Sequence, residues 1–160
     1  MAMRNQIEWA IHCCALLLGL GPHDRISTKT LAEFHGVPKE YLSKALQSLA
    51  RANLIEGTLG PTGGYRLALA PEKISILEIV EAIEGRSHSF ECTEIRANNP
   101  CLKKSDTPKG VCAIARVMYR ADESWRKELR AVTLKDIGLS VSREVAPEQL
   151  KKNFDWLTSR

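Results

Sequence analysis

No apolar run in this chain is long enough to cross a bilayer. The one patch that invites a leader reading, Ala10 to Leu20, is interrupted by His12, preceded by Glu8 and followed by no small-residue cleavage site. A cytoplasmic protein with no membrane partner is therefore expected. No Ser/His/Asp set and no Gly-rich nucleotide loop stands out, so the chain reads as a non-enzyme with no small-molecule substrate. A disulfide framework is lacking as well. Five cysteines are an odd number, and a cytoplasmic chain keeps them reduced. Nor is there a strong charge: a formal +4 and a pI near 8.9 permit binding to a polyanion without demonstrating it.

What is present is an ordinary globular composition, 44% hydrophobic and 26% charged, which excludes a disordered chain. The stretch from Ser27 to Leu69 organises the rest. Ser27 or Thr28 offers a hydroxyl to cap a helix with Leu31, Ala32 and Phe34 on its apolar side. Gly36 and Val37 form a turn, and Pro38 is expected as the first residue of a helix running to about Asn53. In that helix Leu42, Ala45, Leu46 and Leu49 recur at inward positions, which leaves Lys39, Tyr41, Ser43, Lys44 and Gln47 outward. Lysines reach phosphates, and Ser, Tyr and Gln read base edges. Leu54-Ile55 and Tyr65-Arg66-Leu67 then pair around GTLGPTGG, whose glycines are expected to supply positive φ at a tight tip. Two angled helices backed by a hairpin make a winged helix-turn-helix, a unit that lies on duplex DNA. Its expected contacts are Ser27, Thr28, Lys39, Tyr41, Ser43, Lys44, Gln47, Thr62, Gly63, Gly64 and Arg66.

On either side lie segments that carry or switch this unit. Residues from about Asn5 to Leu20 read as a helix with a stripe of Ile7, Ala10, Ile11, Cys14, Leu17 and Leu18. Glu8 and His12 share one face of it, four residues apart, with Trp9 beside them; taken by themselves they read as a surface Glu–His pair worth a few tenths of a kcal/mol. Cys13 and Cys14 are read as buried small hydrophobes. Ile74 to Ile83 forms another apolar helix, capped by Ser75, ending at Gly85 and packing on the first. From Arg86 to Val111 periodicity stops, turn residues gather (Asn98-Asn99-Pro100, Asp106-Thr107-Pro108), and Cys92, Cys101 and Cys112 punctuate the stretch. A long helix follows to at least Val132, with Ile114, Val117, Met118, Trp125 and Leu129 on one side. Having few partners within the chain, that stripe is expected to pair with its copy in a homodimer. A short TLKDI element and a tail with Leu150, Phe154, Trp156 and Leu157 close the chain.

The wing GPTGGYRLA, the helix-turn-helix spacing, the ISILEIVEAIEG helix and a cysteine-bearing loop leading into a long helix resemble the Rrf2 family of bacterial transcription regulators, over roughly residues 3 to 135. The resemblance implies a mainly α fold with a small β-hairpin wing, a winged helix-turn-helix with a long dimerisation helix, and a homodimer on a double-stranded DNA operator. The C-x8-C-x10-C spacing differs from the tighter three-cysteine pattern of the iron–sulfur assembly and nitric-oxide branches. EWAIHCC, FECTEIR and the Cys-x-Ile-Ala-Arg start of the long helix are similar to the redox-sensing branch with a [2Fe–2S] cluster. What that resemblance implies is a cluster bridging two subunits, ligated by Glu8 and His12 of one and Cys92 and Cys112 of the other, with Cys101 a further candidate and Trp9 the switch. Such a donor set suits iron, and histidine ligation raises a cluster's potential. Many family members carry an Arg in the wing where Leu59 stands here.

These readings divide the chain into a DNA-binding domain (1–85), a cluster-binding loop (86–111) and a dimerisation helix with its tail (112–160). The expected function is a redox-sensing transcription regulator, acting as a repressor. The alternative is a cluster-free, thiol- or ligand-responsive regulator of the same fold.

Overall fold

The computed structural model describes residues 5–60, 62–86, 88–103 and 108–160. The turn expected at Asp106-Thr107 lies outside them, as does Pro61 of the wing. The described residues form seven α-helices and one two-stranded antiparallel sheet: α1 (Asn5–Leu17), α2 (Thr28–His35), α3 (Lys39–Arg51), β1 (Ile55–Thr58), β2 (Gly64–Leu67), α4 (Ile76–Glu84), α5 (Ala113–Ala131), α6 (Leu134–Glu144) and α7 (Pro147–Thr158). This is the expected mainly helical winged helix-turn-helix.

The helix-turn-helix forms where the sequence places its caps. Ser27 Oγ accepts the Thr30 amide at 3.1 Å, and Gly36 closes α2 at φ 63°, a left-handed conformation that costs glycine little. Pro38 differs from expectation. Its φ of −64° suits a helix, but its ψ of 123° leaves it outside, as the cap whose carbonyl accepts the Leu42 amide. Leu42, Ala45, Leu46 and Leu49 of α3 are fully buried against α1, α2 and α4.

α1 ends three residues before the expected Leu20. Its last amides bond three residues back, from Leu18 to Ala15 and from Gly19 to Leu16, so the helix tightens and unwinds before the glycine. Cys13, absent from the expected stripe, is wholly buried, while Ile11 is half-buried.

In the wing Ile55 pairs with Leu67 and Thr58 with Gly64, and a single bridge joins Tyr65 to Ile26. The glycines serve it differently from the expectation. Only Gly60, at φ 106°, takes a positive φ among the described wing residues. Gly63 and Gly64 are required by proximity: a Cβ on Gly64 would lie 2.6 Å from the Ile26 carbonyl, and one on Gly63 would lie 2.3 Å from the Thr58 oxygen. Gly64→Ala is accordingly expected to push β2 off the Ile26 segment and to cost about 1–3 kcal/mol, the usual penalty of overpacking. A lowered urea midpoint at unchanged slope checks this.

Two capping boxes stand side by side behind the core. Ser75 and Glu78 cap α4 reciprocally, and Thr133 and Asp136 cap α6 in the same way. Backbone bonds from Ile76 to Val132 and from Leu134 to Ile74 tie the two helix starts together. The tail that carries Leu150, Phe154, Trp156 and Leu157 is a full helix, α7. Its Trp156 packs on Phe34 of α2 with ring centroids 5.6 Å apart, and Arg160 pairs with Glu33. Leu134 and Leu157 therefore share one core with Ile7, Leu31, Leu46 and Ile79.

Candidate nucleic-acid interface and metal centre

The outward face of α3 presents the expected polar set. Lys39, Tyr41, Lys44 and Gln47 are exposed, Ser43 is half-buried, and Tyr41 shows 54% of its surface. These side chains partly order one another: Lys44 Nζ sits 5.7 Å from the centre of the Tyr41 ring, and Gln47 donates to Ser43 Oγ at 3.3 Å. Thr62 is exposed near the wing tip, beside a wholly exposed Leu59. Other expected contacts are engaged within the chain. Ser27 caps α2, Gly64 is buried against Ile26, and Thr28 is half-buried in the first turn of α2. The Arg66 guanidinium pairs with Glu56 and donates to the Pro22 carbonyl, holding it along the wing's base.

The proposed metal ligands fall into two pairs. Glu8 and His12 both lie on α1 and both are exposed, and the His12 ring lies 5.7 Å from that of His35. Cys92 and Cys112 flank Arg96 along the chain, and its guanidinium is held above the ordinary range chiefly by Glu94, with smaller contributions from Cys112 and Cys92. Arg96 is held by Glu94 and donates to the Gly110 carbonyl at 2.9 Å, so it fastens the two ends of the cysteine loop. Cys112 is the N-cap of α5. The amides of Ala115 and Ile114 hold its thiol below the usual range, and Arg96 adds to this against burial and Glu94. A helix N-terminus with a neighbouring arginine favours thiolate, the form that binds metal. Cys101 stands apart, exposed, its amide bonded to Asn99 Oδ1. Cys13 and Cys14 are buried and their thiols are pushed up to about 12 by desolvation, as suits inert core residues.

Two thiols, an imidazole and an exposed carboxylate are donors that iron accepts. Among the described residues of one chain, no three His, Cys, Asp or Glu side chains are placed to share a metal.

A buried ionic network lies outside the expected site. Asp122 on α5 is 2% exposed. Its Oδ1 accepts from the Ser89 amide (3.2 Å), Ser89 Oγ (2.7 Å) and Trp125 Nε1 (3.1 Å). Its Oδ2 accepts from His88 Nδ1 (2.9 Å) and Arg126 Nε (3.0 Å). Arg126 also reaches Glu81 on α4 at 2.7 Å, and Arg86 binds the other oxygen of that carboxylate. Burial alone would raise the Asp122 carboxyl, but the bonds from Ser89, His88 and Arg126 outweigh it and hold the group well below the usual range. The start of the cysteine loop is thereby latched to α5 and α4. The only sequence trace is the i, i+4 spacing of Asp122 and Arg126, which usually marks a solvated face.

The expected apolar stripe of α5 is also divided. Trp125 and Leu129 pack on the core, whereas Ile114 (67%), Val117 (54%) and Met118 (39%) face outward. Among the described residues no helix is long and apolar enough to cross a membrane.

The family model described as Rrf2, iron-dependent transcriptional regulator, matches residues 3–138. The protein rrf2 of Nitratidesulfovibrio vulgaris is 32% identical over 117 residues, which cover 73% of this chain and 73% of that one. Among solved structures, T. potens IscR superposes with a TM-score of 0.69 at 19% identity, covering 91% of this chain and 92% of that chain. CymR, the global cysteine regulator of B. subtilis, gives 0.68 at 19% identity, covering 88% and 98%. The structural likenesses bear on the fold.

Proposed function

The chain belongs to the Rrf2 family of transcriptional regulators, and from that premise we propose a homodimeric repressor whose operator binding responds to redox state through a [2Fe–2S] cluster shared between subunits. It is a DNA-binding transcription regulator, not an enzyme. The finer reading assigns DNA contact to residues 1–85, cluster binding to 86–111 and dimerisation to 112–160, in a cytoplasmic protein. The observation that carries it is the loop: Arg96, paired with Glu94, donates to the Gly110 carbonyl at 2.9 Å and so ties together the stretch that begins at Cys92 and ends at Cys112, and the start of α5 favours the Cys112 thiolate. The family's iron-dependent description lends support.

Cys92 and Cys112 of one subunit, with Glu8 and His12 of the other, would hold the cluster, which when bound supplies a one-electron change of charge. The chain's own residues do the rest. The exposed Ile114, Val117 and Met118 face gives α5 a surface to bury against its copy. Trp9, half-buried against the core between the two α1 ligands, conveys movement of that helix to the packed α3. Moving one chain between two DNA-binding states takes a few kcal/mol of coupling.

Anaerobic purification with iron and sulfide counts, and spectra before and after reduction, tests this. His12→Ala and Cys112→Ser are expected to change the spectrum or lose the iron, while Cys101→Ala leaves both intact. Iron-free protein, equal operator affinity of the oxidised and reduced forms, or a larger effect of Cys101→Ala would overturn the ligand set. The exposure of Cys101 favours one rival, a thiol switch without iron. Reversible thiol labelling that alters operator binding, with iron content unchanged, would identify it.

A further inference from the structure

A cavity of about 670 Å³ opens between α1 and α2 on one side and α6 and α7 on the other. Its size is that of a small-molecule site, for which a few hundred to about 1,000 Å³ is usual. Leu16, Phe34, Leu139, Val141 and Phe154 give it apolar walls. Its polar lining is one-sided: Lys135, His12, His35, Ser142 and Asn153 contribute, and no aspartate or glutamate does among the described residues. Two glycines, Gly19 and Gly138, stand in the lining and leave that part of the wall without side chains; a Cβ on Gly138 would meet the end of the Leu18 side chain at 2.8 Å, and one on Gly19 would lie 3.5 Å from Phe154.

We propose that this cavity is an effector site for an apolar monocarboxylate, its tail between α6 and α7 and its carboxylate on Lys135. Charge complementarity selects the class. A neutral hydrocarbon would leave the ammonium unused, and a cation would meet Lys135 with no acid in the lining, since the neighbouring Asp136 carboxylate is bound to Thr133, whereas a carboxylate gains a charge-assisted hydrogen bond. Because the walls include α2, the first helix of the DNA-binding pair, and α1, an occupant braces the same elements that set the position of α3. The site is lined by His12 but does not depend on any metal there, so it stands or falls apart from the cluster.

Calorimetric titration of the full chain with octanoate and with octan-1-ol tests the site. Octanoate is expected to bind saturably, one per chain, and Val141→Trp to weaken both compounds about tenfold or more by filling the cavity. Lys135 is exposed, so Lys135→Ala leaves the fold intact; it should weaken octanoate about tenfold, the worth of one charged hydrogen bond, and octanol less than twofold. Saturating octanoate should shift operator affinity at least threefold in the parent and not in Val141→Trp. The absence of saturable binding, which a second copy or another chain segment seated in the cavity would also produce, overturns the proposal. So do equal losses of octanoate and octanol in Lys135→Ala, or an operator affinity indifferent to octanoate. Iron content, measured on the same samples, reports separately on the cluster.

Discussion

Asp122→Ala is expected to destabilise the protein by about 3 kcal/mol, at the lower end of the 3–5 kcal/mol typical for breaking a buried ion pair from one side. The lower end applies because Arg126 keeps Glu81 when the carboxylate goes. The loss has two sources: donors from Ser89, Trp125 and His88 are left without their acceptor, and the loop is released from α5. Urea unfolding at pH 7 measures it. The pH dependence has a definite sign. The folded carboxyl sits below its unfolded value of about 3.9, so its contribution is complete above that value and disappears as pH falls through the folded one. The gap between parent and variant should be constant from about pH 8 to 5 and narrow below about pH 4. A gap that persists undiminished in acid would assign the loss to packing and not to the charge. Hydrogen exchange should also quicken at Ser89, whose amide the carboxylate holds, while amides in the core of α3 keep their protection.

That network marks the limit of what the sequence pattern reveals. Helical residues advance by roughly 100° each, so Ile114, Met118, Trp125 and Leu129 fall within about 60° of one another and look like a single buried stripe. The face that α5 turns to the core is centred elsewhere, on Ala115, Asp122 and Arg126, which lie roughly 80–120° around the axis from Ile114. Two charged residues mark the centre of that face, and a hydrophobic pattern cannot register a face whose burial is offset by hydrogen bonds from another element. His88 and Ser89, which supply three of those bonds, stand more than thirty residues away along the chain. By contrast the helix-turn-helix is legible because its caps and core are local: Ser27, Gly36 and the Leu42-Ala45-Leu46-Leu49 spacing each act within a turn or two. The wing is legible in outline but not in cause, since the need for Gly63 and Gly64 arises from the approach of Thr58 and Ile26 and not from their own φ. The two ligand pairs are visible as residue types. Arg96, which ties Glu94 to the Gly110 carbonyl across the cysteine loop, is not, because nothing in its spacing links it to Gly110.

The largest effect on DNA is expected from the lysines of α3. Lys39→Ala with Lys44→Ala should weaken binding to a selected operator and to scrambled duplex by similar factors. The pair should also lower the steepness of the log affinity against log salt plot by about two, one for each phosphate no longer neutralised. Lys44 is poised for that role: exposed on the outward face of α3, with its ammonium over the Tyr41 ring, it gives up less freedom on binding than an unconstrained lysine. Gln47→Ala should behave differently. Its amide is already oriented by Ser43, and removing a base-edge hydrogen bond costs about 1–3 kcal/mol against the matched sequence with little change on scrambled DNA. Fluorescence anisotropy on both duplexes between about 50 and 200 mM salt separates the two behaviours. Arg66→Ala serves as the contrast. Because its guanidinium is engaged by Glu56 and the Pro22 carbonyl, its removal should lower the unfolding midpoint and leave the salt slope unchanged. An Arg66 variant that flattens the slope as the lysine pair does would place the wing strand itself on the phosphates, and would mean that DNA breaks the Arg66–Glu56 pair on binding.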